Sequence, residues 1–313
     1  MLLRQVLEIF EFLDKPNANG KEIIDLFKNK GNKNVQTILE TVVGDQGSTD
    51  FVKVLIKGYK GKSLGGDAPT LGIIGRLGGI GARPAVIGFV SDGDGALAAL
   101  SAALKVIEMN EYGDLLPGDV IVSTHICPTA PVSDHKPVQF MGSPIDMATA
   151  NKKDVDGRMD AILSIDTTKG NRIINHNGIA ISSTVKEGYI LRTSDSVLDV
   201  MTKVTGVTPS VFAITQQDIT PYGNGLYHLN SILQPCTATD APVIGVAITT
   251  TMPVAGCASG ASHPIDVELA ARFAVEVAKG YGDGTVSFYD AKEYRLMMSL
   301  YGDLTIFQTH GNN

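Results

Sequence analysis

The sequence predicts an α/β protein whose mostly parallel or mixed sheet is covered by helices on both faces. Two observations support this fold class. From residue 51 onward, short apolar runs that end in glycine or polar residues alternate with longer stretches of helical periodicity. Strands that alternate with helices in this way are typical of a sheet whose crossover helices cover both faces.

The first 45 residues predict a helical segment ahead of a single α/β domain over residues 46–313. Apolar side chains recur at helical spacing over residues 6–13, 23–27 and 35–42, and sequences rich in asparagine and glycine separate these stretches. We interpret the segment as an arm for packing or dimerisation, because a DNA-reading helix-turn-helix would need a basic recognition helix.

Seven apolar runs predict the strands of the domain, and two amphipathic stretches predict its main helices. The predicted strands are residues 51–56, 71–74, 85–90, 119–123, 161–165, 211–214 and 243–249. An apolar stripe at helical spacing runs along residues 95–109. The second helix, over residues 264–278, begins with proline and acidic residues and stops before glycine.

Composition and charge limit the classes of function. Hydrophobic residues make up 43% of the chain and charged residues 19%, as in ordinary globular proteins. The net charge of −7 argues against nucleic-acid binding, and no basic run indicates a membrane surface. Three widely spaced cysteines, Cys127, Cys236 and Cys257, argue against a disulfide framework. We therefore expect a cytoplasmic homo-oligomer with a small-molecule ligand.

Carboxylate and imidazole side chains follow several predicted strands where each strand ends. Asp92 and Asp94 follow the third strand, Asp166 follows the fifth, and His263 follows the last strand after a glycine-rich loop. Ligands of open α/β sheets bind beyond the carboxyl ends of strands, and these side chains are normal zinc ligands. The four residues therefore predict a site for a divalent metal: zinc, manganese or cobalt. His125, which ends the fourth strand, is the candidate to orient or deprotonate the attacking water.

Each candidate also has a purely structural interpretation. Asp94 suits the N-cap of the helix over residues 95–109, and Asp92 suits a turn. Asp166 could bond the backbone of its own turn. His125 is consistent with a core histidine whose nitrogens are satisfied, and His263 with the start of a helix.

Basic residues near the strand ends are candidates for binding a substrate carboxylate. They are Arg83, Lys169 and Arg172. The glycine-rich segment over residues 75–83 lacks the ending of a P-loop, so we interpret it as a tight loop with Arg76 or Arg83 free to meet a carboxylate. Cys127, two residues after His125, suggests a thiol nucleophile, although such a cysteine is more often an inert hydrophobe.

Seven segments together resemble the bacterial and archaeal family named domain of unknown function 1177. They are GFVSDGDG (88–95), THICPTAP (124–131), FMGSP (140–144), SIDTTKGN (164–171), QDITPY (217–222), YHLNS (227–231) and GASH (260–263). These segments span most of the chain after residue 70. The resemblance implies the family without implying an activity.

The order of elements is also similar to that in the catalytic domain of glutamyl-aminopeptidase-type dinuclear metallopeptidases. This resemblance implies a phosphorylase/peptidase-like sheet. It further implies that Asp92 or Asp94 bridges two metals, that Asp166 binds one of them and that His263 binds the other.

Two further residues and two departures belong to this resemblance. Asp218 is similar to that family's supporting or turn aspartate, and we expect His228 to support the ligands as well. The chain lacks an early His-x-Asp motif, and Thr124 and His125 stand where that family has a Glu-Glu pair. His125 is then expected to replace the missing base or ligand.

These observations give one leading hypothesis and two alternatives. The leading hypothesis is a metal-dependent hydrolase that acts on a small amide or peptide-like compound. The first alternative is a non-catalytic protein that binds a small metabolite on the same fold. The second is a thiol enzyme that uses Cys127 and His125.

Overall fold

The computed structural model describes residues 1–229 and 231–312 and shows a mixed sheet with helices packed around it. Asn230, which falls in one segment of the family resemblance, lies outside the described residues. The helices are α1 (Leu3–Leu13), α2 (Gly20–Lys30), α3 (Asp94–Glu111), α4 (Met147–Asp154), α5 (Asp195–Thr205), α6 (Pro264–Asp283) and α7 (Ala291–Tyr301). The strands are β1 (Val35–Gly44), β2 (Gly47–Ile56), β3 (Leu71–Gly75), β4 (Val120–Ile126), β5 (Val132–Ser133), β6 (Phe140–Met141), β7 (Ala161–Thr168), β8 (Gly178–Ile181), β9 (Val185–Lys186), β10 (Tyr189–Ile190) and β11 (Val243–Thr249).

Four parallel strands form the middle of the sheet, in the order β4, β3, β7, β11. The β1–β2 hairpin joins antiparallel beside β4, and β8, β9 and β10 extend the sheet with antiparallel pairs on the β11 side. Because the four central strands run the same way, their carboxyl ends lie along one edge. The sheet is therefore mixed, and the predicted fold class is confirmed.

Both faces of the sheet are buried, because successive side chains of a strand point to opposite sides. Leu163 and Ile165 of β7 face the larger apolar core, which α1, α2, α3, α5 and α6 cover. Ile162 faces a smaller core that includes Phe212 and Leu233 from irregular segments, and α4 lies against β2 and β4. These two layers hold the central strands rigidly in place.

Helix α3 begins directly against the ends of the central strands. A Cβ atom on Gly95 would lie only 2.5 Å from the carbonyl oxygen of Ile165 and 2.8 Å from that of Arg76. Glycine therefore permits a backbone approach that any larger residue would block. This contact brings Asp92 and Asp94 to the same edge of the sheet as Asp166.

The N-terminal segment contains the first two predicted helices, but the third prediction is wrong. Residues 35–42 form most of strand β1, which pairs with β2 from Val35 opposite Ile56 to Gly44 opposite Gly47. The β-branched residues of this stretch favour a strand, and β2 supplies partners for its backbone groups. The predicted boundary at residue 45 lies in the turn between β1 and β2, while α1 and α2 pack into the main core.

Two predicted strands are also absent from the described part of the chain. Residues 85–90 form a loop, in which Gly88 has a φ of 90°, and residues 211–214 contribute a single bridge between Val211 and Ile181. Helix α6 runs past its predicted end, as far as a left-handed cap at Gly284. No helix in the described ranges is long and apolar enough to cross a membrane.

Candidate functional site

A cavity of about 1040 Å³ lies at the edge of the sheet where the parallel strands end. Arg76, His125 and Asp166, at the ends of β3, β4 and β7, line its inner part. The β5–β6 hairpin and two loops complete the wall, and Phe140 and Tyr227 are exposed beside the opening. The cavity is mostly apolar, with a few buried charged groups at its inner end.

Asp92 and Asp166 are the two buried carboxyl groups that face this cavity. Asp166 accepts hydrogen bonds from the Thr167 amide and the Ser231 hydroxyl, each at 2.7 Å. Burial raises the pKa of Asp166 to about 6. Burial, together with the nearby charge of Asp166, raises the pKa of Asp92 to about 8. At neutral pH, Asp92 therefore retains its proton while Asp166 is largely ionised.

Asp94 does not line the cavity. Its carboxylate is paired with two other side chains instead. Its Oδ2 lies 3.0 Å from the Lys169 ammonium, and its Oδ1 accepts a 2.5 Å hydrogen bond from the Ser262 hydroxyl. Burial raises the pKa of Asp94, and the charge of Lys169 opposes that effect. Lys169, predicted to bind substrate, is therefore already paired with a buried carboxylate.

His263 lies at the start of α6, and the structure does not bring it to the cavity. Its side chain is 47% exposed, and its Nδ1 lies 3.5 Å from a carboxylate oxygen of Asp266. Of the four predicted metal ligands, Asp92 and Asp166 remain at the cavity. Within the described ranges, no three His, Cys, Asp or Glu side chains are grouped so as to hold a metal ion. The residues in this arrangement do not fit the predicted metal centre.

His125 is buried, and both of its ring nitrogens are engaged. Its Nε2 accepts a hydrogen bond from the Gly78 amide at 3.0 Å, so its Nδ1 carries the proton and donates to the Thr49 hydroxyl at 2.9 Å. Burial, with a smaller contribution from the charge of Arg76, lowers the pKa of His125 to about 3. In this arrangement His125 is neutral and positions the loop after β3, and neither nitrogen is free to take a proton from water.

Of Arg76 and Arg83, the two arginines expected to be free to meet a carboxylate, Arg76 is the one that lines the cavity. It is 1% exposed, and its Nη1 donates to Asn151 at 2.9 Å and to Asp154 at 3.1 Å. Its Nε and Nη2 are buried and have no hydrogen-bond partner in the part of the chain that the structure describes. The signal in the sequence was the position of this arginine, directly after a buried strand.

The other predicted residues lie around the site or away from it. Arg83 donates to the Asp14 and Pro128 carbonyl oxygens, and Arg172 is exposed outside the cavity lining. Asp218 is buried, caps its own 3-10 turn and accepts a 2.9 Å hydrogen bond from the Leu229 amide. His228 lines the cavity and packs against Tyr222, with ring centroids 4.3 Å apart and the ring planes tilted by 38°.

The thiols near the cavity are not activated. Burial raises the pKa of Cys127, and it raises that of Cys257 to about 12. Cys257 accepts a 3.2 Å hydrogen bond from the Met141 amide and lies beside Asp92. Since both ring nitrogens of His125 are engaged, Cys127 and His125 do not form the thiol–imidazole pair that a cysteine nucleophile needs.

Comparison with known proteins identifies a family and a shared fold. The family described as "Protein of unknown function (DUF1177)" matches residues 40–311. No curated protein matches the sequence. The Porphyromonas gingivalis glutaminyl cyclase is 10% identical, with a TM-score of 0.52 over 91% of this chain and 97% of that one. The Legionella pneumophila LapA aminopeptidase is 11% identical, with a TM-score of 0.50 over 89% and 70% of the two chains. At such identities the likeness shows the fold alone, and it confirms the predicted peptidase-like architecture.

Proposed function

Since the chain belongs to the DUF1177 family, whose description assigns no activity, we propose from the cavity itself that the protein binds a small peptide-like metabolite. One observation carries this proposal: a cavity of about 1040 Å³ has mostly apolar walls and places Arg76, Asp92 and Asp166 at its inner end. Apolar walls provide affinity, and a few buried polar groups set the orientation of a small ligand.

Binding is favoured over hydrolysis because the groups that would activate water are engaged elsewhere. Both nitrogens of His125 are hydrogen-bonded, and the carboxylate of Asp94 is paired with Lys169. Hydrolysis requires a base within reach of the attacking water. Asp166, the ionised carboxylate at the cavity, accepts a hydrogen bond at each of its oxygens, and both bonds lower its pKa and so weaken it as a base.

The peptide-like class of ligand is supported by two proteins that share the fold. An aminopeptidase and a glutaminyl cyclase, by their names, act on peptides or on a glutaminyl group. From these two proteins we carry over to this chain only the peptide-like class of ligand, and the size of the ligand follows from the cavity of this chain.

A second candidate, metal-dependent hydrolysis of a small amide, is favoured by the pair of buried carboxyl groups. The charge of Asp166 disfavours the ionisation of the buried Asp92, and a divalent cation between the two carboxyl groups would favour the ionised form of both. A complete site would require more ligands, and Asp94 and His263 would have to leave their present partners to supply them.

Metal analysis and ligand screening on the purified, untagged protein separate the two candidates. We expect far less than one equivalent of zinc, manganese or cobalt, and saturable binding of a dipeptide or N-acyl amino acid that is recovered unchanged by mass spectrometry. Near-stoichiometric metal that is lost in a folded Asp92→Asn/Asp166→Asn variant, with turnover, would establish the hydrolase instead. If no compound of the panel binds, the proposed peptide-like ligand is wrong.

A further inference from the structure

Only one of the three nitrogens of the Arg76 guanidinium group is hydrogen-bonded to the described residues of the protein. Its Nη1 donates to Asn151 and Asp154, whereas Nε and Nη2 are buried without a partner among residues 1–229 and 231–312. Buried N–H groups in native proteins are almost always bonded, because leaving one unsatisfied is unfavourable. Two such groups on one side chain that lines a cavity indicate that an acceptor comes from outside the chain.

The two unused nitrogens define the shape of that acceptor. Nε and Nη2 lie side by side along one edge of the planar guanidinium and direct two parallel N–H bonds outward. A carboxylate matches this edge with its two oxygens, which gives a bidentate, charge-assisted pair. A neutral amide offers only one acceptor oxygen to the same edge.

The protein's own carboxyl groups leave this edge unoccupied. Asp154 is bonded to Nη1, and the two oxygens of Asp166 accept from Thr167 and Ser231. The other buried cation of the cavity, Lys169, is paired with Asp94. Burial raises the pKa of Asp92 to about 8, so at neutral pH Asp92 adds no charge to that of the ionised Asp166, which the Arg76 charge offsets.

We propose that Arg76 binds the carboxylate of the ligand, so that the ligand is a small carboxylic acid with an apolar body. The carboxylate lies at the inner end of the cavity, against the free edge of the guanidinium. The apolar body extends along Met141 and Ile145 towards Phe140 and Val254 near the opening. This inference rests on the proposed function, because it names the class of ligand for the same cavity.

Calorimetric titration of the full-length protein with a matched pair of probes tests the inference. The probes are N-acetyl-leucine and N-acetyl-leucine amide, which differ in the carboxylate alone. We expect the acid to bind more tightly by about tenfold or more, as a charge-assisted pair implies. Arg76→Lys keeps the positive charge but loses the pair of parallel N–H groups. In this variant the affinity for the acid should fall towards that for the amide, and the affinity for the amide should stay unchanged. Arg83→Lys is the control, because Arg83 lies outside the cavity lining, and it should leave both affinities unchanged.

The outcomes distinguish this inference from the proposed function. Equal binding of acid and amide would overturn the role of Arg76 and leave the proposed function standing. If neither probe binds, the peptide-like ligand fails, and acetate then tests Arg76 alone. Saturable movement of the Arg76 Nε–H resonance with acetate, but not with acetamide, supports the carboxylate site. An unmoved resonance refutes it. The resonance is assigned by its loss in Arg76→Lys, which is practical because the chain has eight arginines.

Discussion

Replacement of Asp92 by asparagine should stabilise the protein at neutral and alkaline pH. The Asp92 residue is 9% exposed, and burial together with the nearby charge of Asp166 disfavours the ionisation of its carboxyl group. Asparagine keeps the size and the acceptor oxygen of the side chain but cannot acquire a charge. At neutral pH the carboxyl group ionises in the unfolded chain and not in the folded protein, which favours unfolding. The substitution removes this advantage of the unfolded chain and leaves the packing of the cavity wall in place.

The sign and size of the effect follow from the pKa of Asp92, which is 3.8 ordinarily and about 8 in the folded protein. The stability due to the retained proton is fully present below about pH 4, and it is lost as the pH rises through about 8. Each pH unit in this window removes about 1.4 kcal/mol from the free energy of unfolding. Between pH 5 and pH 7, Asp92 alone should therefore remove roughly 3 kcal/mol, and Asp92→Asn should escape this loss.

Urea unfolding of wild type and Asp92→Asn at several pH values between about 4 and 9 measures this difference. The neighbouring Asp94→Asn is the matched control with the opposite sign, because it leaves the buried Lys169 without its counter-charge. That variant should lose roughly 3–5 kcal/mol, as when one partner of a buried ion pair is removed. A gain in Asp92→Asn that is the same at pH 5 and pH 7, or a loss at pH 7, would refute the reasoning.

Three further predictions concern the opposite end of the sheet, the loop beside His125 and the absence of a metal. Asp119→Ala should lower the free energy of unfolding by roughly 2–4 kcal/mol, because this buried carboxylate accepts hydrogen bonds from two backbone amides and the Ser63 hydroxyl. Chemical denaturation measures this change. Gly78→Ala should lower the thermal midpoint, because its Cβ would lie 1.5 Å from the His125 carbonyl oxygen. Gly157 has open space around it, so Gly157→Ala should leave the thermal midpoint unchanged and serves as the control. Dialysis against EDTA should not shift the thermal midpoint; a fall that zinc reverses would contradict the proposed metal-free site.

The central strands were predictable because they are buried on both faces. β4, β7 and β11 each begin with a run of mainly apolar residues, which is the pattern of a parallel strand between two layers. β1 was misread as a helix because Val35, Ile38, Leu39 and Val42 also satisfy helical spacing. Its actual structure depends on pairing with β2, and no local pattern contains that information.

The sequence indicated some of the residues that line the cavity, but it did not indicate which side chains are paired with each other. Asp92 and Asp166 both line the cavity, Asp166 because it lies near the end of β7 and Asp92 because it precedes α3, which begins against the ends of the central strands. The strand predicted before Asp92 is a loop, so the sequence pattern brought Asp92 to this edge for the wrong reason. The pairing of Lys169 with Asp94 joins residues 75 positions apart, and the sequence offered no means to foresee it. That pairing separates the predicted metal ligands, so the chemistry inferred from residue types alone changed once their partners were known.

The order of the central strands also bears on how the protein is made. Leu71 of β3 pairs with Val120 of β4 and with Ala161 of β7. The other edge of β7 pairs with β11, which ends at Thr249. The residues from Leu71 to Thr249 must all be synthesised before the four central strands can pair. Pairings between such distant segments form slowly, and until then the apolar edge of β7 stays unprotected. We therefore expect this chain to depend on chaperones during synthesis more than a protein built from local hairpins would.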